Sequence, residues 1–216
     1  MANISAAQVK ELREKSGAPM MDCKAALVES NGDLEQAIIH LRKRGVSLAG
    51  KKAARVTSEG SVGYYIHAGG KIGVLLEVNC ESDFVARTED FKELLHDVSM
   101  HIAASDPKFV RREDVTQADF DREKDIALAQ AVAAGKPPAI AEKMVVGKMG
   151  KFYEEVCLLE QPFIKDQTTT IGQLIATKIG KLGENIAVSR FARFKVGDPN
   201  PTIAFTSVKP EGEPAS

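Results

Sequence analysis

The sequence predicts an α+β fold, in which an N-terminal three-helix bundle precedes an antiparallel-sheet core with packed helices and a helical hairpin. Helix start and stop signals recur over residues 1–45. Two alternating apolar segments meet at Gly69-Gly70, and long helical patterns lie on either side of Pro137-Pro138. The 216 residues are 44% hydrophobic and 27% charged, which is typical of a soluble globular protein with one large or two small domains.

The first 45 residues predict three short helices. Ser5 and Gln8 have the spacing of a capping box, and Asp33 can cap the third helix. Gly45 stands where a left-handed helix end is common, so we expect the third helix to end there. A bundle of this size buries little apolar surface. We therefore interpret residues 1–45 as a docking module of marginal independent stability.

The core is expected to span residues 60–200, after a linker at 46–59 that has weak periodicity. Ile72, Val74, Leu76 and Val78 alternate onto one face, as in a strand with one buried side. The pair Gly69-Gly70 suits the positive φ angles of a tight hairpin. Three further elements are a helical hairpin at about 116–159, a strand at 185–196 and a Pro- and Gly-rich tail at 201–216 that we expect to be loose at its end.

Composition argues against several function classes. Twenty-nine basic and thirty acidic residues give a net charge of -1, so no global field favours nucleic acid or an anionic membrane. The N-terminal residues become polar within a few positions, so we expect no signal peptide. No run of about 18 apolar residues occurs, so we expect no membrane span. We therefore expect a cytoplasmic location. Three widely spaced cysteines are typical of reduced thiols.

Nucleotide-binding loops and metal sites have characteristic residue spacings. Residues 45–51, GVSLAGK, match the phosphate-loop pattern up to its lysine, but Lys52 lacks the hydroxyl that binds magnesium, and the segment follows a helix instead of a strand. The four histidines have no metal-ligand spacing. We therefore expect no direct nucleotide binding, no metal site and no cofactor.

Two alternatives remain open from the residues alone. In residues 190–195, Arg190, Arg193 and Lys195 alternate with Phe191 and Phe194, a weak version of the basic and aromatic face that binds single-stranded nucleic acid. An ordinary edge strand with solvated charges explains the same pattern.

The second alternative is an enzyme in which Cys80 is a nucleophile paired with His67 or His101, although no local signature supports it. A buried or partly buried thiol is the better explanation of Cys80.

The segment 77–87, EVNCESDFVAR, places Asp83 and Phe84 between a predicted strand and a predicted helix. Binding residues are frequent on such connections. The alternative is structural, because Asp83 can cap the turn and Phe84 can pack into the core.

Four segments resemble the bacterial translation elongation factor Ts family: residues 12–27 (LREKSGAPMMDCKAAL), 77–87, 100–110 (MHIAASDPKFV) and 135–166. Together they extend over nearly the whole chain. The resemblance implies guanine nucleotide exchange on elongation factor Tu, in its GDP-bound form, during translation elongation. Members of this family are not enzymes in the strict sense.

The resemblance also implies roles for particular residues. Ser82, Asp83, Phe84 and Val85 would form the exchange motif that dislocates the partner's magnesium ion, with Ser82 where the family usually has Thr. Arg13, Met20 and Met21 would dock a ubiquitin-associated-like bundle on the partner. Because short family members with one core pair as homodimers, the resemblance implies a dimer, here without a linking cysteine in residues 185–216.

Overall fold

A computed structural model describes residues 4–135 and 137–206. Within these ranges the α-helices are α1 (Ala6–Ser16), α2 (Met20–Glu29), α3 (Leu34–Lys52), α4 (Asp83–Ala86), α5 (Glu89–Ser105), α6 (Gln117–Ala133), α7 (Pro138–Val156) and α8 (Ile171–Leu182). The strands are β1 (Glu59–Ile66), β2 (Ile72–Cys80), β3 (Pro162–Phe163), β4 (Asp166–Thr170), β5 (Ile186–Lys195) and β6 (Thr202–Phe205), with short 3-10 helices at Arg112–Asp114 and Leu158–Glu160. The predicted α+β fold class is confirmed.

One antiparallel sheet has the strand order β1-β2-β5-β6, and β3 and β4 form a separate antiparallel pair. In the register of β5 with β6, Phe191 lies opposite Ala204. Within the predicted C-terminal tail at 201–216, residues 202–205 form β6, which pairs with β5. Residues 207–216 of that tail lie outside the described residues.

The hairpin between β1 and β2 turns at Gly69 and Gly70, whose φ angles are +89° and +69°. Along β2, Val74, Leu76 and Val78 are buried, while Leu75 between them is exposed. The predicted hairpin and the predicted core face of the second strand are therefore confirmed.

The chain divides into two compact units. The first contains the described residues up to 63, with 78–97 and 172–187, and the second contains 64–77, 98–171 and the described residues from 188 onward. In the first unit, Phe91, Leu94 and Ile179 are among the buried core residues. In the second, Ile102, Leu158 and Phe191 are among them.

The three N-terminal helices of the first unit begin where the sequence predicts. Ser5 Oγ accepts the Gln8 N–H (3.2 Å), and Gln8 Oε1 accepts the Ser5 N–H (3.0 Å), which completes a capping box. Asp33 caps α3 by accepting the Gln36 N–H (3.0 Å). The helices bury a common cluster: Val9, Leu12, Cys23, Ala26, Leu27 and Ala37.

The predicted end of the third helix at Gly45 is wrong, since α3 continues to Lys52. Gly45 is buried, and a Cβ built on it would lie 3.3 Å from the Ala176 carbonyl oxygen of α8. The glycine thus permits a close helix approach and does not terminate the helix. Residues 46–52 of the expected linker therefore belong to α3, and residues 53–58 lie between α3 and β1.

Helices α6 and α7 of the second unit form the predicted helical hairpin. Thr116 Oγ1 caps α6 by accepting the Asp119 N–H (3.2 Å). The two helices bury a small cluster of their own: Ala127, Val145 and Met149, with Phe120 and Phe152 packed against it.

Candidate functional site

The Ser82–Val85 turn connects the end of β2 to α4. Ser82 has extended dihedral angles (φ −131°, ψ 153°) and occupies the N-cap position of α4 without a side-chain capping bond. Asp83 and Phe84 are therefore the first two residues of a four-residue helix. The side chains of Asp83 and Phe84 therefore project from the start of α4, just after β2 ends.

Ser82 is held by Glu184, which follows α8. The Ser82 backbone N–H donates to Glu184 Oε2 (2.9 Å), and the Ser82 hydroxyl donates to Oε1 (2.6 Å). The Cys80 thiol donates to the Ser82 carbonyl oxygen (3.1 Å). All three polar groups of Ser82 are thus bonded, which explains why its hydroxyl does not cap α4.

Phe84 is 77% exposed, whereas its neighbours Val85 and Ala86 are buried. The structural alternative, in which the Phe84 ring packs into the core, is therefore wrong. Val85 anchors the turn instead, and its carbonyl oxygen accepts the Thr88 hydroxyl (2.8 Å). Covering such an exposed aromatic ring with a partner surface is favourable, because apolar surface is removed from water.

Asp83 forms an ion pair with Arg87, one turn further along the chain. The cap of α4 is Ser82, so the interpretation of Asp83 as the capping residue is wrong as well. Exposed ion pairs of this spacing contribute only about 0.3–0.5 kcal/mol. The Asp83 carboxylate can therefore change partner at little cost.

The residues on either side of Glu184 are fixed too. Lys52 Nζ, at the end of α3, donates to the Gly183 carbonyl oxygen. The Asn185 N–H donates to Glu81 Oε1 (2.6 Å), and this bond, followed by the charge of Arg55, lowers the pKa of Glu81. Sequence reasoning missed this junction, because residues 183–185 lie about a hundred positions from the turn and carry no motif.

Arg13, Met20 and Met21 lie on either side of the connection between α1 and α2. All three are exposed, Met20 by 43% and Met21 by 73%. Gly17 in that connection has a φ of +65°, and a Cβ on it would lie 3.3 Å from Lys181 Nζ of α8. The C-terminal end of α8 therefore contacts this connection, and Glu184 just beyond it contacts the Ser82–Val85 turn.

The same end of α8 carries a charge cluster with α5. Lys181 Nζ contacts Asp90 Oδ1 (2.6 Å), and Lys178 Nζ contacts both Asp90 (3.1 Å) and Glu93 (2.7 Å). Donation from Lys181 lowers the pKa of Asp90, and donation from Lys178 lowers that of Glu93. The charges fix α8 against α5 around neutral pH.

The enzyme alternative is not supported at Cys80. The residue is fully buried, and burial followed by the nearby Glu184 carboxylate raises the pKa of its thiol. A nucleophilic cysteine needs a lowered pKa and access to substrate. The thiol donates to Ser82, and His101 Nε2 is bonded to Gln161 (2.9 Å), so neither side chain has the environment of a catalytic pair.

The basic and aromatic residues of β5 do not form one face. Phe191 and Arg193 are buried, and Arg193 donates to the Ala103 carbonyl oxygen and pairs with Asp106. Arg190 pairs with Glu77. Because β5 lies between β2 and β6, the edge-strand interpretation is wrong too. Nucleic-acid binding through residues 190–195 therefore loses its structural basis.

The phosphate-loop match is also explained by the fold. Residues 45–51 lie inside α3, so their backbone does not form a phosphate-binding loop. Among the described residues, no cluster of His, Cys, Asp or Glu has the composition of a metal site. Over the same residues, no helix combines the length and apolar character needed to cross a membrane.

The fold and the site together define a class: an α+β protein that presents an exposed acidic and aromatic turn between a strand and a helix. Residues 3–198 match the family model described as elongation factor TS. The chain is 72% identical to elongation factor Ts of Koribacter versatilis, over 98% of this chain and 96% of that protein. It is 63% identical to elongation factor Ts of Solibacter usitatus, over 92% of this chain and 93% of that protein. It is 57% identical to elongation factor Ts of Moorella thermoacetica, over 90% of this chain and 96% of that protein. The chain belongs to the elongation factor Ts family of translation factors.

Proposed function

We propose that this protein is a guanine nucleotide exchange factor for elongation factor Tu and accelerates GDP release in the cytoplasm during translation elongation. The observation that carries the proposal is the exposed Phe84 ring on a turn whose backbone is hydrogen-bonded to Glu184. The ring inserts between two helices of GDP-bound elongation factor Tu. Asp83 leaves Arg87 and disturbs the groups around the bound magnesium ion. Because magnesium neutralises phosphate charge, its displacement weakens GDP binding.

The size of the effect is consistent with one aromatic wedge. Burying a Phe side chain contributes about 1.5–3 kcal/mol. Each 1.4 kcal/mol of barrier lowering accelerates a step tenfold. Burial of the ring alone can therefore accelerate GDP release about 10- to 100-fold. Since Ser82 and Val85 already fix the turn, little conformational entropy is lost when the ring binds.

Docking is assigned to the N-terminal bundle, through Arg13, Met20 and Met21. The two methionines are exposed apolar side chains that adapt to a partner surface, and Arg13 adds an exposed cation. We propose that this module, followed by the short linker and the core, binds the GTPase domain of elongation factor Tu while the Ser82–Val85 turn acts on the nucleotide.

The exchange cycle needs no covalent step, so the protein is an exchange factor and not an enzyme. Linkage makes the effect reciprocal: if this protein weakens GDP binding, then GDP weakens the binding of this protein by the same factor. Nucleotide rebinding therefore releases the factor from its partner.

The test is stopped-flow release of fluorescent GDP from elongation factor Tu. We expect Phe84→Ala to lower the maximal release rate at least tenfold and Asp83→Ala to lower it less, with unchanged thermal unfolding because Phe84 is exposed. Val146→Ala is the matched control, since Val146 of α7 is 74% exposed and lies outside the turn. Wild-type rates in both Phe84→Ala and Asp83→Ala would contradict the mechanism.

We further propose a homodimer that forms through the outer face of the four-stranded sheet. Ile66, Leu75 and Phe194 line one shallow groove there, and each is more than half exposed. On β6, Ile203 (60%) and Phe205 (66%) extend this apolar area. Exposed apolar surface of this kind is typical of an interface.

Sedimentation equilibrium over a range of concentrations tests the dimer. We expect the wild-type chain to sediment as a dimer and Leu75→Lys as a monomer, because a buried unpaired charge opposes association. Val146→Lys serves as a control for the added charge. A wild-type monomer at every concentration would refute the dimer without affecting the exchange proposal.

A further inference from the structure

We propose that Glu184 is a positioning residue for nucleotide exchange: its carboxylate fixes the direction in which the Ser82–Val85 turn presents Phe84. The inference rests on the proposed exchange function and extends it to a residue outside the motif. Glu184 lies 102 positions from Ser82 in sequence, yet it accepts both the N–H and the hydroxyl of Ser82.

The geometry engages both oxygens of the Glu184 carboxylate. One oxygen takes the backbone N–H at 2.9 Å and the other takes the hydroxyl at 2.6 Å. Hydrogen bonds to an ionised acceptor are shorter and about twice as strong as bonds between neutral groups. Glutamine offers one acceptor oxygen and places an NH₂ group against the second donor, so only a carboxylate satisfies both.

Glu184 is itself held in place from both sides. Gly183 ends α8 with a φ of +79°, and its carbonyl oxygen accepts Lys52 Nζ of α3. On the other side, Asn185 Nδ2 donates to the Arg55 carbonyl oxygen (2.9 Å), and the Asn185 N–H donates to Glu81. Residues 183–185 thus link the segment that follows the docking helices to the residue that starts the turn.

This arrangement acts on exchange through Phe84. Without the two bonds from Glu184, Ser82 regains backbone freedom, and the exposed ring samples orientations that do not fit the partner. Only interactions that are made in the transition state raise the maximal rate. Docking by Arg13, Met20 and Met21 is unaffected by the loss of the two bonds. We therefore expect the maximal rate of GDP release to fall while the half-saturating concentration stays nearly constant.

The experiment measures stopped-flow GDP release from elongation factor Tu at increasing concentrations of each variant. Glu184→Ala should lower the maximal rate about tenfold with less than a twofold change in half-saturation, and Glu184→Gln should lower it less. Ser82→Ala should have a smaller effect because the backbone N–H still bonds to Glu184, and Ser82→Thr should recover most of that loss. Combining Ser82→Ala with Glu184→Ala should add little to Glu184→Ala alone, since both disrupt one contact.

Glu142→Ala is the control: it removes an exposed carboxylate of α7, a helix of the second unit. We expect it to leave the release rate unchanged. Thermal unfolding of each variant reports whether the fold is intact, and amide hydrogen exchange reports order at residues 82–86. In Glu184→Ala these amides should exchange faster while the rest of the chain is unaltered. This pattern separates loss of position from unfolding.

The outcomes are distinct. If Phe84→Ala slows release and Glu184→Ala and Glu184→Gln do not, the positioning role is wrong and the exchange function stands. If Glu184→Ala raises only the half-saturating concentration, Glu184 acts in docking, and the proposal is overturned. If the wild-type chain does not accelerate GDP release, the exchange function and the positioning role fail together.

Discussion

Gly45 of α3 lies with its backbone against the Ala176 carbonyl of α8, where a Cβ on Gly45 would be 3.3 Å from the Ala176 oxygen. A Cβ on Gly180 would in turn lie 3.6 Å from the Cα of Gly45. The two glycines let the helix axes approach closely, and a side chain at Gly45 would crowd the α8 backbone. Helix α3 of the N-terminal bundle is therefore packed against α8, whose C-terminal end also supports the Ser82–Val85 turn through Glu184.

Gly45→Val should lower the free energy of unfolding by about 1–3 kcal/mol, because the added atoms meet backbone that cannot move aside easily. Gly50→Ala in the same helix is the control, since no atom lies within 4 Å of its Cβ position. There alanine should stabilise by about 0.5–1 kcal/mol through helix propensity. Urea denaturation of both variants gives the comparison. Equal stability changes would show that Gly45 has no packing role.

Met21→Asp should weaken binding to elongation factor Tu at least tenfold, because the proposed interface would have to bury a charge in place of an apolar side chain. Val28→Asp on the same helix is the control, as Val28 is also exposed, by 52%. Since both side chains face water, neither change should alter unfolding much. Isothermal titration calorimetry measures the two affinities. If Met21→Asp binds as tightly as Val28→Asp, Met21 is not part of the docking surface.

His101 should make stability depend on pH. The ring is fully buried against Phe163, and its Nε2 contacts Gln161 Oε1 (2.9 Å). Because Gln161 Nε2 donates to the Glu155 carbonyl oxygen (2.6 Å), the Gln161 oxygen must face the ring, and His101 Nε2 carries the proton. Nδ1 is buried without a hydrogen-bond partner, so a second proton on the ring would have no acceptor.

Burial accordingly lowers the pKa of His101 from its ordinary value of 6.5. The unfolded chain then binds a proton below about pH 6.5 that the folded chain does not, so stability is complete above that pH and falls on acidification. For one proton the slope cannot exceed about 1.4 kcal/mol per pH unit. We expect His101→Gln to reduce the slope between pH 5 and 7 in urea denaturation.

Phe163→Leu is the control for this slope. It removes the ring that packs on His101 and lowers overall stability, but it keeps the titrating group. Its slope should therefore match that of the wild-type chain. If His101→Gln and the wild-type chain have the same slope, protonation of His101 does not contribute to acid sensitivity.

The sequence was sufficient where structure depends on near neighbours. The caps at Ser5, Asp33 and Thr116 join residues three positions apart, so their side chains predict the helix starts directly. The alternation along β2 and the turn at Gly69-Gly70 are local in the same sense. The motif in residues 77–87 pointed to Phe84 but could not decide between a core ring and an exposed one.

Tertiary structure decided what depends on distant residues. The continuation of α3 past Gly45 required the surface of α8, and β6 required the edge of β5. Neither the exposure of Phe84 nor the contact between Glu184 and Ser82 has a local signature, because burial and long-range contacts depend on how the elements pack. The sequence by itself determined the helix starts, the hairpin and the family signatures, since short-range hydrogen bonds and periodicity specify them. Only packing between elements far apart in the chain decided how the Ser82–Val85 turn is held and that Phe84 is exposed.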